Sequence, residues 1–211
     1  MNKNEKFVIT INRELGSGGR TVGRILAEKL GVPYYDKALA KSLEEKFNMG
    51  IDEIERLKSD NLSWWESIKR VLILGEEAAN SSEYFEDGKS HLLTSEAVLN
   101  TEKEILHSIA IEESCVIAGR SAFYVMNGFP NRLNILIQAS MEHRVNRLMT
   151  KRGISEKEAK KIIKEVDHAR EEYLKNNAQT SRYDTRNYDL VIKMDGKTEE
   201  DAANVILAFI G

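Results

Sequence analysis

Residues 16–23 read GSGGRTVG and directly follow the stretch ITINREL. Glycines this close together suit a turn in which backbone N–H groups and the positive end of a helix dipole face an anion, because no Cβ holds a phosphate away. Two phosphate-loop patterns compete for the stretch. A dinucleotide fingerprint needs glycine at its first, third and sixth positions, which here are Gly16, Gly18 and Thr21, while Asp36 would suit a ribose hydroxyl. The mononucleotide pattern G-x-x-x-x-G-K-[ST] matches at Gly19 and Thr21 but has Glu14 for its first glycine and Arg20 for its lysine. A guanidinium at position 20 still offers two hydrogen bonds and a permanent charge. Gly16, Ser17, Gly18, Gly19, Arg20 and Thr21 are therefore the expected phosphate-binding set, with the Thr21 hydroxyl placed to contact Mg²⁺.

Other cations lie downstream. Arg120 follows a strand pattern, and Asp167 and Arg170 stand three apart on one helix face, so that a carboxylate and a guanidinium act together. The stretch HRVNRLMTKRG supplies Arg144, Arg147, Lys151 and Arg152. Phosphoryl transfer asks little covalent work of side chains, so cations that close over a polyphosphate and exclude water are the machinery it needs. Arg144 and Arg147, close behind a strand, are the candidate catalytic cations, and Lys151 and Arg152, beside Gly153, would form a lid over residues 150–156. No nucleophile constellation competes: Cys115 in SCVIAG reads as a buried structural thiol, and His91, His107, His143 and His168 show no metal-ligand spacing.

These residues must be positioned by alternating strands and helices, the pattern of a parallel sheet covered on its faces. FVITIN (residues 7–12), VPYY (32–35), CVIAG (115–119), RLNILIQA (132–139) and YDLVIKM (188–194) are the five strand candidates. Val22, Ile25, Leu26 and Leu30 recur at helical intervals, and Gly31 ends that helix. Ser155-x-x-Glu158 and Thr198-x-x-Asp201 open two later helices as capping boxes. Nearly eighty residues separate the second strand from the third. They read as a helical insertion over residues 38–113, with helices starting near Ser63 and near Thr94 or Ser95, and with Trp64 and Trp65 taken as packing residues.

The chain of 211 residues is long enough for one substantial core. Its 31 basic and 34 acidic residues leave a formal charge of −3, so nothing pulls the whole molecule towards nucleic acid or an anionic membrane. The first residues carry no signal-peptide core, and no apolar run approaches the ~20 residues of a membrane span, which predicts a cytoplasmic protein.

Taken together, ITINRELGSGGRTVGRILAEKLGVPYYDK, CVIAGRSAFYV and KEVDHAREEY resemble the cytidylate kinase-like family, whose phosphate loop often reads G-S-G-G-R. The resemblance implies an α/β, three-layer P-loop kinase fold with strand order 2-3-1-4-5, a helical acceptor-binding subdomain and a mobile lid. It implies ATP and Mg²⁺ as cofactors and a nucleoside monophosphate such as CMP or dCMP as acceptor, so that the expected partners are small-molecule nucleotides. Asp36 then falls at the mouth of the acceptor site, where Lys37-Ala38 replaces Ser/Thr-Gly. Arg120 resembles the arginine that holds the acceptor phosphate, with Ser121 in place of an aspartate, and Asp167 and Arg170 resemble the pair that meets the acceptor. Three alternatives stay open: a non-catalytic nucleotide-binding regulator, a kinase for another small acceptor, and a dinucleotide oxidoreductase.

Overall fold

A computed structural model describes residues 1–35, 106–107, 109–119 and 121–211. The chain divides into two units, Met1–Asp36 with Leu106–Gly211 and Lys37–Ile105. The expected insertion helices, Trp64, Trp65, Asp36 and Arg120 lie outside the described residues.

Five strands run parallel in the order β2-β3-β1-β4-β5: β1 Val8–Arg13, β2 Tyr34–Tyr35, β3 Cys115–Ala118, β4 Arg132–Gln138 and β5 Leu190–Lys193. The helices between them are α1 Gly19–Leu30, a single turn α2 Ala122–Val125, α3 Met141–Arg152, α4 Glu156–Ala178 and α5 Glu199–Ile210. β1 is apolar along most of its length because both of its faces are covered, and Val8, Ile9 and Ile11 are fully buried. Ile9 and Ile11 join Ile135, Ile137 and Ile192 under α1 and α5, which contribute Val22, Leu26, Ala27, Ala202 and Ile206. On alternate positions Thr10 donates to Asn134 Oδ1 at 2.7 Å, and Asn134 in turn donates to the carbonyl of Phe123 in α2.

α1 buries Gly19, Val22, Gly23, Leu26 and Ala27, a stripe at helical spacing, and Gly31 closes it in a left-handed conformation. Of the two expected capping boxes, Thr198 with Asp201 makes the full reciprocal box of α5, while at α4 Ser155 accepts the Glu158 N–H as a simple N-cap. Only residues 153–155 separate α3 from α4, so the expected lid segment is a tight corner in which Lys151 and Arg152 belong to the last turn of α3. Cys115 is buried in β3, as its apolar setting predicts.

Candidate active site

β1 is central, with β3 on one side and β4 on the other, so the chain leaves its carboxyl end at the point where strand order reverses. Ligands of open α/β sheets bind in the crevice at such a point. The glycine loop follows at once. Gly16 and Gly18 have φ of 85° and 87°, a region costly for residues with a Cβ. Gly18 is the N-cap of α1 and supplies no side chain to it, and the first turn holds no acid. The positive end of α1 is thus left for an anion. Ser17 is buried and donates its hydroxyl to the Glu14 carbonyl at 2.9 Å, which makes it a brace of the loop.

The loop is pinned from behind by Asp167 of α4, only 7% exposed. Its Oδ1 accepts the Leu15 N–H at 3.0 Å and faces Arg182 Nη1 at 3.5 Å and Arg170 Nη1 at 3.8 Å, while Oδ2 pairs with Arg144 Nη1 at 2.5 Å. Arg182, 1% exposed, also donates to the Arg13 carbonyl and to Asn12 Oδ1, and so locks the carboxyl end of β1. Glu14 turns away from the loop's mouth, its Oε2 accepting the Ala139 N–H at 3.0 Å and lying 3.8 Å from Arg144 Nε.

Two groups of cations remain around the loop. Arg147 of α3 reaches Thr21 Oγ1 at 3.4 Å with one nitrogen and Glu199 Oε1 at 2.5 Å with another. Lys151 stands near it: partial burial first, then repulsion from Arg147, Arg20 and Arg24, pulls its pKa below the usual lysine value, against the pull of Glu199. On the other flank, half-buried Arg170 is pulled down to about 9 by desolvation and then by Arg13, Arg182 and Arg20, with Asp167 opposing. Arg20 is felt by both groups. Guanidinium groups crowded to this degree favour an anionic ligand that relieves their repulsion.

The donor fit can be read residue by residue. The uncapped helix start, the two left-handed glycines and Arg20, Arg147 and Lys151 suit a polyphosphate. Mg²⁺ binds phosphates and water with only one or two protein ligands, so the Thr21 hydroxyl suffices on the protein side. Among the described residues no group of three His, Cys, Asp or Glu is placed to hold a metal, and no helix is long and apolar enough to cross a membrane.

Of the expected site residues, the structure gathers Gly16 to Thr21, Arg147, Lys151 and Arg170 around the loop's mouth and encloses Arg144 and Asp167 behind it. Arg13, Arg182 and Glu199 escape a reading by motif. Arg182 sits in the polar run TSRYDTR, where no periodicity marks a buried residue.

The sequence matches the cytidylate kinase-like family over residues 8–196. The chain belongs to that family. Its strand order and the glycine loop after β1 give it the P-loop kinase fold that the family implies. Among solved structures, this cytidylate kinase-like chain is similar to an uncharacterized protein from Eubacterium ventriosum ATCC 27560, with 22% identity and a TM-score of 0.64 over 97% of this chain and 98% of that one. Fainter likenesses are to shikimate kinase from Bacteroides thetaiotaomicron (17% identity, TM-score 0.49, 97% and 98% covered) and to a gluconokinase from Sinorhizobium meliloti 1021 (13%, 0.48, 97% and 91%). No curated protein matches the chain.

Proposed function

We propose that this chain transfers the γ-phosphoryl group of ATP to a nucleoside monophosphate, CMP or dCMP foremost. The observation that carries the reading is the convergence of Arg20, Arg147 and Lys151 on one flank, and Arg13 and Arg170 on the other, beside an uncapped glycine loop at the switch point of the sheet. Guanidiniums on both sides of that loop suit a reaction in which donor and acceptor both bear phosphate.

Gly16 to Thr21 hold the donor phosphates, and Thr21 would ligate Mg²⁺, whose charge offsets that of the β- and γ-oxygens. Arg20, Arg147 and Lys151 cover the polyphosphate from α1 and α3, with Arg152 at the same corner. Arg144 and Asp167 support the loop and Arg170 faces the acceptor, while Asp36 and Arg120 keep their sequence-based roles. An acceptor phosphate is already ionised at neutral pH, so no general base is required.

The deciding experiment measures ADP formation by the purified protein with Mg-ATP and CMP, dCMP, UMP, AMP or GMP against a control without acceptor. Acceptor-dependent turnover, fastest with a cytidine nucleotide, is expected. Nucleotide binding without turnover on any acceptor would favour a second reading, a nucleotide-binding regulator, which draws on the pairing of Arg147 with Glu199.

A further inference from the structure

The P-loop pattern can be set on this chain by conformation as well as by residue type. The glycine that closes the loop is the one in the left-handed region, Gly18, and Gly19 is already the first helical residue. Counted from Gly18, the first position of G-x-x-x-x-G-K falls on Arg13 and the lysine position on Gly19. Glycine and cation have exchanged places. A Cβ on Gly19 would lie 2.6 Å from Arg13 Cβ, 3.1 Å from its Cγ and 3.2 Å from Ile137 Cβ, so the Arg13 stem and buried Ile137 together occupy the space a side chain at 19 would need.

From there the side chain continues to the end of β3. A Cβ on Gly119 would lie 1.9 Å from Arg13 Nη1 and 2.9 Å from Cζ. Gly119 has φ of 84° and leads directly into Arg120 in sequence. Two glycines, one opening α1 and one following β3, therefore leave the channel that Arg13 fills, between the phosphate loop and the mouth of β3. The root of the side chain is fixed: the Arg13 N–H donates to Asn12 Oδ1 at 2.9 Å, and its carbonyl accepts from Arg182.

We propose that Arg13 takes the place of the P-loop lysine and is the cation that bridges the transferring phosphoryl group between donor and acceptor sides. This rests on the phosphotransfer reading above. Arg13 would donate N–H bonds to oxygens of the γ-phosphoryl group as its bond to the β,γ-bridging oxygen breaks. The electron pair leaves with ADP, and the new P–O bond forms to an oxygen of the acceptor phosphate. The guanidinium itself gains and loses no proton. Its closeness to Arg170, whose pKa its charge helps to lower, agrees with a pole of positive charge at this point.

With Mg-ATP and the acceptor that the wild type turns over, Arg13→Gln and Arg13→Gly are expected to lower kcat by about 100-fold or more, the scale of losing a preorganised donor to transition-state charge. Arg13→Lys keeps a cation on a stem in the same channel, and is expected to recover at least about tenfold over Arg13→Gly. An Arg13→Gln enzyme within about threefold of wild type, or an Arg13→Lys enzyme no better than Arg13→Gly, would overturn the proposal. Phenylglyoxal labelling of the wild type, mapped by mass spectrometry, covers the case of variants that do not fold. Protection of Arg13 by Mg-AMPPNP supports the assignment, and equal labelling with and without it refutes it. A wild type inactive on every acceptor refutes the phosphotransfer reading instead, and the labelling still decides whether Arg13 meets phosphate.

Discussion

The backbone N–H of Leu15 donates to Asp167 Oδ1 at 3.0 Å, across 152 positions of sequence. One carboxylate on α4 thereby holds the entry to the phosphate loop while it neutralises Arg144 and Arg182, both buried. Loop shape and charge balance depend on the same group.

Asp167→Asn keeps a polar acceptor for Leu15 but leaves buried guanidiniums without their counter-charge. Breaking a buried pair from one side costs about 3–5 kcal/mol. Urea unfolding is expected to show a loss on that scale, and nucleotide affinity should fall with it; a variant as stable as wild type would show that Asp167 does not organise this centre.

Arg170 makes a prediction about pH. Desolvation and then Arg13 lower its pKa to about 9, so above that pH the folded chain gives up a proton that the unfolded chain still holds. The unfolded state then binds more protons, and this group's contribution to stability rises with pH from about 9 towards the ordinary arginine value. Below about 9 the charged group opposes folding, so Arg170→Gln is expected to raise the melting temperature of the ligand-free protein at pH 7.5. In the same variant acceptor KM should be higher, and the rise of that KM as wild type passes pH 9 should vanish.

Glu199 holds Arg147 at 2.5 Å, and its Cγ would lie 3.2 Å from a Cβ on Gly18, so a carboxylate borders the phosphate loop. Glu199→Gln removes a negative charge from a site built for anions. Calorimetry at low salt is expected to show Mg-ATP binding several-fold tighter, with the gain shrinking as salt screens it. Weaker binding would mean that Glu199 chiefly aims Arg147.

Two glycines with similar backbones should respond differently. Gly153 has φ of 67° and open space around a Cβ, whereas Gly16 has φ of 85° and a Cβ there would lie 2.8 Å from the Arg144 carbonyl. Gly153→Ala is expected to cost about 1 kcal/mol of backbone strain. Gly16→Ala adds a clash with buried backbone, for roughly 1–3 kcal/mol more, and loses nucleotide binding. Equal costs in thermal unfolding would refute the contrast.

The sheet was legible because each strand is a short apolar run bounded by glycine, proline or a cap. The strands observed fall within a residue or two of those expected, and the caps at Ser155 and Thr198 mark helix starts by purely local chemistry. The phosphate loop was legible for the same reason, since glycine spacing reports backbone conformation. Arg182 and Arg13 were not, because their roles come from side-chain contacts that no local pattern encodes: Asp167 and the distant Asn12 for the first, Gly19 and the distant Gly119 for the second. The loop frame shows the limit most clearly. Residue type aligns Arg20 with the lysine, while backbone conformation aligns Gly19, and only coordinates distinguish a positive φ from a helical one.

The order of synthesis gives the central strand one more consequence. Val8 pairs with Cys115 on one side and Arg132 on the other, and the loop is braced by Asp167 and Arg182. The residues that would meet phosphate are thus made well before those that shape them. At roughly 5–20 residues per second, about 8–30 seconds separate Arg20 from Arg182 on a growing chain. Until β3 and β4 have emerged the nascent glycine loop has no flanking strands to stand on, so nucleotide cannot template the early fold and can only reward the completed one.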